Sequence, residues 1–285
     1  MPKQTLVFEN KADLSLKDGQ LLICQEDKDP IMRSLEDVSG ILVDNHSVRI
    51  TVPLLNKLSQ NNISIVFCDE RHMPVSMTLD LESNVRQTMT FNAQLATTEP
   101  VRKQIWKQII EHKIHNQSLL LQKLGKGEDV LSKYHKNVKS GDTTNREALA
   151  AATYWKLLLG KDFIRDRYGN CPNDMLNYGY AILRSVVSRA LMNSGLLPMI
   201  GVFHKNRYNS FPLSDDVMEP YRPFVDEKVL ELYTIGQRCI DHNFKKAILE
   251  LFYESIKPDD VSQTTYSLSQ IYLGERRVIY YPSLF

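Results

Sequence analysis

Four cysteines in 285 residues, Cys24, Cys68, Cys171 and Cys239, lie far apart and form no CxxC pair. That scarcity argues against a cysteine-based zinc site and a disulfide framework; reduced thiols in a cytosolic protein are the economical reading. Long hydrophobic runs are missing too. No apolar stretch approaches the ~20 residues of a membrane span, and the N-terminus MPKQTLVFEN lacks a signal-peptide core. Net charge is nearly absent, since 35 Lys+Arg against 34 Asp+Glu leave +1. No internal repeat or low-complexity tract is present. The expectation is a cytoplasmic chain with no membrane partner, long enough for one large domain or two modest ones.

The small net charge hides an uneven distribution. Residues 1–80 carry 8 Lys+Arg against 12 Asp+Glu, residues 81–170 carry 15 against 9, and residues 171–285 carry 12 against 13. The middle third is where a polyanion would bind, through a series that includes Arg102, Lys103, Lys107, Lys113, Lys123, Lys126, Lys133, Lys136 and Lys139. A solvated, charged helix face explains the same residues equally well.

Hydrophobic periodicity changes along the chain. The first 80 residues hold short β-type runs at Thr5–Phe8, Gln20–Cys24, Ile31–Ser34, Gly40–Val43, Val48–Ile50, Ile63–Cys68 and Val75–Thr78, several bounded by turn residues such as Lys17-Asp18-Gly19. One small helix is expected at Val52–Gln60, with Pro53 in its first turn. Residues 81–99 are polar and weakly patterned and read as a linker. From Thr98 the period becomes helical, with Val101, Ile105, Trp106, Ile109 and Ile110 as an apolar stripe. Further helices are expected at Ser118–Leu124, Asn145–Leu159, Asp174–Asn193, Asp226–Tyr233 and Phe244–Ile256. The tail after Pro258 is left unassigned between a packed strand–turn element and a partner-binding extension. The fold class is therefore α+β: a β-sandwich-like domain over residues 1–80, a linker over 81–99, and a larger all-α domain over 100–285.

Three segments carry candidate chemistry. In GVFHKNRYNSFPLSDDVMEPYRP, Gly201 to Pro223, His204 stands beside Lys205 and Arg207 and precedes the DxxE pair Asp216 and Glu219. Imidazole nitrogen with carboxylate oxygens suits Mg²⁺ or Mn²⁺ better than structural zinc. A three-residue spacing places both acids on one face if the segment is helical. The plainer account is an acidic surface turn beside a satisfied histidine. The second segment, TTNREALAAATYWKLLLG, places Glu147 in the first turn of an alanine-rich helix. There, Thr144-x-x-Glu147 also fits a capping box with no chemical role. The third, Asn173 to Gly195, is a long helix leading towards His204.

These segments, in this order, resemble the metal-dependent integrase of CRISPR adaptation, the universal first CRISPR-associated protein, in its type II branch. The residues that carry the resemblance are NRE at Asn145–Glu147, LNYGYAILRS at Leu176–Ser185, FHK at Phe203–Lys205 and DVMEPYRP at Asp216–Pro223, and it extends from the first strands to about residue 255. It implies that Glu147, His204 and Glu219 are the catalytic, metal-binding residues for Mg²⁺ or Mn²⁺. Asp216 is then an orienting group or an outer ligand through water. Arg146, Lys205 and Arg207 are candidate phosphate contacts, which position DNA without reading sequence. Tyr178 and Tyr180 are expected in packing first. His112 and His115, three apart on a basic helix, are weaker candidates for DNA contact.

The implied activity is endonucleolytic cleavage of DNA and insertion of short double-stranded fragments into a CRISPR array by 3′-hydroxyl attack on a phosphodiester. A non-catalytic DNA-binding scaffold and a metal-dependent RNA or nucleotide hydrolase are the alternatives. The implied partners are double-stranded DNA with 3′ ends, array DNA, a second copy of this chain through the N-terminal domain, and the small second CRISPR-associated protein in a 4:2 complex. The type II branch adds its effector nuclease and an accessory protein.

Overall fold

A computed structural model describes residues 4–80, 84–127, 130–204, 207–254 and 256–283, in two compact units, Met1–Ser83 and Asn84–Phe285. In the first unit, strands β1 (Gln4–Phe8), β2 (Asp13–Lys17), β3 (Gln20–Cys24), β4 (Ile31–Arg33), β5 (Val38–Val43), β6 (Arg49–Ile50), β7 (Ser64–Cys68) and β8 (Pro74–Met77) form two four-stranded sheets. Their orders are β1-β5-β7-β8 and β4-β3-β2-β6. Leu14 and Leu21 from one sheet and Ile41 and Ile65 from the other share one core with Leu54 and Leu58 of helix α1 (Val52–Gln60). The sandwich-like reading therefore holds, with one physical amendment. β1, β5 and β7 run parallel, and the almost wholly buried VSGILV of β5 is the near-continuous apolar run such a strand needs. The α1 crossover from β5 to β7 makes this pairing possible.

β2 was absent from the expected strands because DLSLK is short and charged at both ends. The β2–β3 turn, by contrast, is as the sequence predicts. Asp18 (φ 50°) and Gly19 (φ 73°) both adopt the left-handed region that a two-residue hairpin loop requires.

The second unit is helical: α2 (Gln87–Ala96), α3 (Glu99–Lys123), α4 (Ser132–His135), α5 (Arg146–Leu159), α6 (Asn173–Asn193), α7 (Pro212–Met218), α8 (Arg222–Thr234), α9 (His242–Glu254) and α10 (Pro258–Tyr272). The linker expected over 81–99 is a correction, because most of it is α2. That helix is held by polar groups, which hydrophobic patterning does not register. Gln94 is buried, donates to the carbonyls of Leu197 and Ile200, and accepts from the Leu197 N–H, each at 3.0 Å. The separate helix expected at Ser118–Leu124 is the last part of α3, which is continuous over 25 residues.

The first part of the unassigned tail is helical, as α10 (Pro258–Tyr272). Thr265 of α10 donates to the Ala190 carbonyl at 3.1 Å, and Ser194 meets Thr265 at 2.8 Å. Hydroxyls thus take part in joining α10 to α6, beside the buried Val261, Leu268 and Ile271 of α10.

Two helices approach closely where α6 lacks a side chain. A Cβ at Gly179 would fall well inside contact distance of Val225 Cγ1 on α8, so this crossing is set by glycine. Gly179→Ala is expected to destabilise the helical unit by about 1–3 kcal/mol, as overpacking does. Adding Val225→Ala should recover part of that loss in urea melts. Equal stability of Gly179→Ala and wild type would show that the helices can separate freely.

Candidate metal centre

Helix α3 is the wall on which the site is built. Trp106 and Lys113 are seven residues apart, two turns along one face, and both are buried among Ile105, Ile109, Ile110 and Ile114. Trp106 stacks on Phe203, with ring centroids 4.3 Å apart and planes 4° from parallel, and meets the His204 ring edge-on at 5.7 Å. Lys113 Nζ lies 2.6 Å from Glu147 Oε1 and 2.6 Å from Glu219 Oε2. Two carboxylates 72 residues apart in sequence therefore meet at a single cation.

Glu147 reaches this point because of how α5 begins. Asn145 takes a left-handed conformation (φ 51°), and Asp142 accepts from the Arg146 N–H at 2.8 Å and the Glu147 N–H at 3.0 Å. The capping box from Thr144 to Glu147 is thereby excluded. Asp142 satisfies the helix N-terminus, and the Glu147 carboxylate is left for Lys113.

Glu219 opens the 3-10 turn Glu219–Tyr221 between α7 and α8, with a side chain only 6% exposed. Its other oxygen lies 3.0 Å from Arg222 Nε. Burial pushes its carboxyl up, but Arg222 and Lys113 outweigh burial and hold it below the ordinary range. Glu219 Oε2 and Arg222 Nε are both buried without an aligned hydrogen bond, so these contacts are ion pairs of poor direction. Arg222 also lies over the Tyr180 ring, 4.4 Å from its centroid. Burial lowers the Lys113 ammonium, and Glu219 with Glu147 more than restore it, so it is raised.

Asp216 and Glu219 do not face a common point. Asp216 is fully buried and holds the loop that bears His204. It accepts from the N–H groups of Val202 at 2.6 Å and Phe203 at 3.1 Å, and it meets His204 Nδ1 at 2.5 Å. A Cβ on Gly201 would meet Pro212 Cβ at 2.8 Å and the His204 carbonyl oxygen at 2.9 Å, so the loop packs this tightly only with glycine there. With Nδ1 facing a carboxylate, Nε2 is the nitrogen left for a ligand. The hydrogen bond to Asp216 raises the His204 imidazole more than burial lowers it. His204 and Glu219 each shift the other through their charges.

Among the described residues, no three His, Cys, Asp or Glu side chains stand close enough together to hold a metal ion as a finished site. Glu147 and Glu219 converge on Lys113, and His204 is near enough to Glu219 for the charge of each to bear on the other. The donor chemistry nevertheless fits Mg²⁺ or Mn²⁺: two carboxylates, one oriented imidazole, and a buried Glu219 oxygen without an aligned donor.

The remaining candidates are dispersed. Lys205 lies outside the described residues. The Arg207 guanidinium is exposed and donates to the Tyr208 hydroxyl at 2.6 Å, and Arg146 lies 6.0 Å from the centroid of the Tyr134 ring. Tyr178 and Tyr180 are buried in packing. His112 Nδ1 meets the Gln108 carbonyl at 2.8 Å, and the half-buried His115 faces His135 with centroids 5.3 Å apart. Of the basic series, Lys103, Lys107 and Lys123 form ion pairs with Glu99, Glu111 and Glu227 at 2.8, 3.6 and 2.6 Å. Such exposed pairs are worth about 0–1 kcal/mol and yield readily to a phosphate.

Sequence reading missed three residues. Lys113 was counted with the surface lysines, although its place among Ile109, Ile110 and Ile114 was a signal of burial. Asp142 gave no signal. Asp226, fully buried on α8, accepts from the hydroxyls of Tyr154 (2.7 Å) and Tyr180. Burial outweighs these donors and Arg222, and its carboxyl is pushed up to about 6.

The chain matches the family model described as CRISPR associated protein Cas1 over residues 5–247. It is 39% identical over 241 residues to the CRISPR-associated endonuclease Cas1 of Neisseria meningitidis serogroup C (strain 8013), covering 83% of this chain and 78% of that protein. Among solved structures, a Cas1 protein from Thermotoga maritima superposes with a TM-score of 0.81 at 18% identity, covering 98% of this chain and 100% of that one. A casposase bound to an integration product gives 0.80 at 21% identity, covering 98% and 92%.

The raised Asp226 carboxyl has a defined consequence for stability. Its folded value, about 6, lies above the ordinary 3.8, so its contribution is full below about 3.8 and is lost as pH rises through about 6. Compared with the non-titrating Asp226→Asn, wild type should lose up to about 3 kcal/mol of stability across that interval, from two pKa units at ~1.4 kcal/mol each. Urea melts between pH 3.5 and 7 check this, and a pH-independent difference between the two proteins would contradict it.

Proposed function

Because the chain belongs to the Cas1 family of CRISPR-associated proteins, we propose that it is a divalent-metal-dependent DNA endonuclease and the catalytic subunit of a spacer-acquisition integrase. The observation that carries this reading is the convergence of Glu147 and Glu219 on one cation beside an imidazole fixed through Nδ1. Glu147, Glu219 and His204 Nε2 are the groups that would hold Mg²⁺ or Mn²⁺. Once bound, the ion supplies charge neutralisation at a scissile phosphate and favours ionisation of the attacking hydroxyl.

In the proposed reaction the 3′-hydroxyl oxygen of a DNA fragment attacks phosphorus in the array. A new P–O bond forms as the bond to the displaced 3′-oxygen breaks, and the attacking hydroxyl's proton is balanced by protonation of the leaving oxygen. One phosphodiester replaces another, so the exchange needs no nucleotide fuel. Water in place of the hydroxyl gives endonuclease activity. Phosphoryl transfer asks the protein mainly to position groups and balance charge. Asp216 meets the first demand by fixing the His204 ring, and Arg222 meets the second by sharing the Glu219 charge. Arg146, Lys205 and Arg207 are assigned to phosphate contact, and the lysines of α3 extend the track.

The resemblance adds assembly. The net acidic N-terminal unit is a poor DNA surface and the better candidate for protein contact. The chain is assigned to a homodimer through that unit, with two dimers bridged by the small second CRISPR-associated protein, so that both ends of a fragment are served. In the type II branch the effector nuclease and accessory protein join it.

Glu147→Ala, His204→Ala and Glu219→Ala are each expected to abolish joining of a 3′-hydroxyl duplex to a supercoiled array plasmid in Mn²⁺, with most DNA affinity retained. Residues acting as a unit are not additive, so paired substitutions should be little worse than single ones. Full joining by any single variant removes that residue from the centre. DNA binding without joining in any divalent metal favours a scaffold, and activity confined to RNA favours a hydrolase. Light scattering at micromolar concentration should give twice the chain mass; a strict monomer contradicts the dimer.

A further inference from the structure

Lys113 has a place no surface lysine would take. Its side chain is 11% exposed, and its ammonium touches one oxygen from each of the two carboxylates assigned to the metal. Without it, Glu147 and Glu219 would place like charges side by side in a nearly dry site. Arg222 does not fill this role. It is committed to the other Glu219 oxygen and to the face of Tyr180.

A divalent ion held by these oxygens at about 2.1 Å would stand within a few ångströms of the ammonium and claim the same lone pairs. Two cations cannot share that position. One must yield, and Lys113 is the one able to move, on a flexible four-carbon stem. Glu147, with a side chain 25% exposed against 6% for Glu219, marks the open side towards which the ammonium can withdraw.

We propose that Lys113 is the resident counter-ion of the metal-free centre: it holds Glu147 and Glu219 together until a divalent ion displaces it, and so sets ion affinity by competition. This rests on the metal-dependent reading above and adds the residue that governs loading. The carboxylates stay gathered in the absence of an ion, at the expense of affinity for it.

The test pairs a variant with a measurement on the unaltered chain. Mn²⁺ binding to the full-length protein is read from the free-ion resonance signal. Lys113→Met, close in length and uncharged, should bind Mn²⁺ about tenfold tighter or more, because two charge-assisted contacts no longer compete. The variant should melt at lower temperature than wild type in EDTA. Mn²⁺ should then raise its melting temperature more than that of wild type, as tighter linkage requires.

In the unaltered chain, acetylation of the Lys113 ε-amine, followed by mass spectrometry, should be slow in EDTA and faster in saturating Mn²⁺. This arm decides the matter if Lys113→Met does not fold. Equal or weaker Mn²⁺ affinity in the folded variant, or labelling unchanged by Mn²⁺ that demonstrably binds, overturns the competition alone. No Mn²⁺ binding by either protein overturns the metal reading and this inference with it.

Discussion

A carboxylate taken out of water must find positive charge within a few ångströms or give up its ionisation. Glu219 meets that demand twice, with Lys113 on one oxygen and Arg222 on the other. Much of the helical unit can be traced from this pair of contacts. Lys113 must lie on the inward face of α3, which fixes the rotation of that helix and also brings Trp106 against Phe203 and His204. Arg222 must lie at the start of α8, where it covers Tyr180 and shares the surroundings of Asp226. The charges alternate from Glu147 through Lys113, Glu219 and Arg222. Removing Glu219 takes from Arg222 and from Lys113 a carboxylate that each holds in a buried setting, which costs more than the lost contacts themselves.

Two further carboxylates do a different kind of work, and they do it alike. Asp142 accepts from the first N–H groups of α5 and so aims Glu147. Asp216 accepts from consecutive N–H groups of the 202–204 loop and so aims His204. Neither meets the other acids at the candidate ion position. Each converts loose backbone into a fixed base for a side chain of the candidate centre. The tight packing at Gly201 belongs to the same device, because a side chain there would lift the loop from Asp216.

The comparisons and the chemistry meet at one point. The family match spans both units, and the fold is shared with Cas1 and casposase structures at identities of about a fifth. Conservation of fold at that distance says little about individual residues. The local geometry brings Glu147 and Glu219 to one ammonium, Lys113, and fixes the His204 ring on Asp216.

Periodicity and turn chemistry in the sequence settled the division between a β-rich beginning and a helical remainder, the α1 helix, the Asp18-Gly19 hairpin turn and the main helices of the second unit. These signals are local, carried by alternation, helical spacing and positive-φ residues, so they need no knowledge of distant contacts. The motifs around Glu147, His204, Asp216 and Glu219 were legible for the same reason, as was their resemblance to a family. Other features depended on partners remote in sequence. Gln94 makes α2 a helix by bonding residues about a hundred positions away, and the hydroxyls of α10 find α6 across some seventy. Asp216 and Glu219, three apart, suggested a shared ligand, yet the turn between α7 and α8 sends one to His204 and the other to Lys113. Lys113 reads in sequence as one more basic residue on a long helix. Only the folded chain brings two carboxylates to it, because charge pairing is decided by proximity in space, and proximity between residues 113, 147 and 219 exists only after the helices pack.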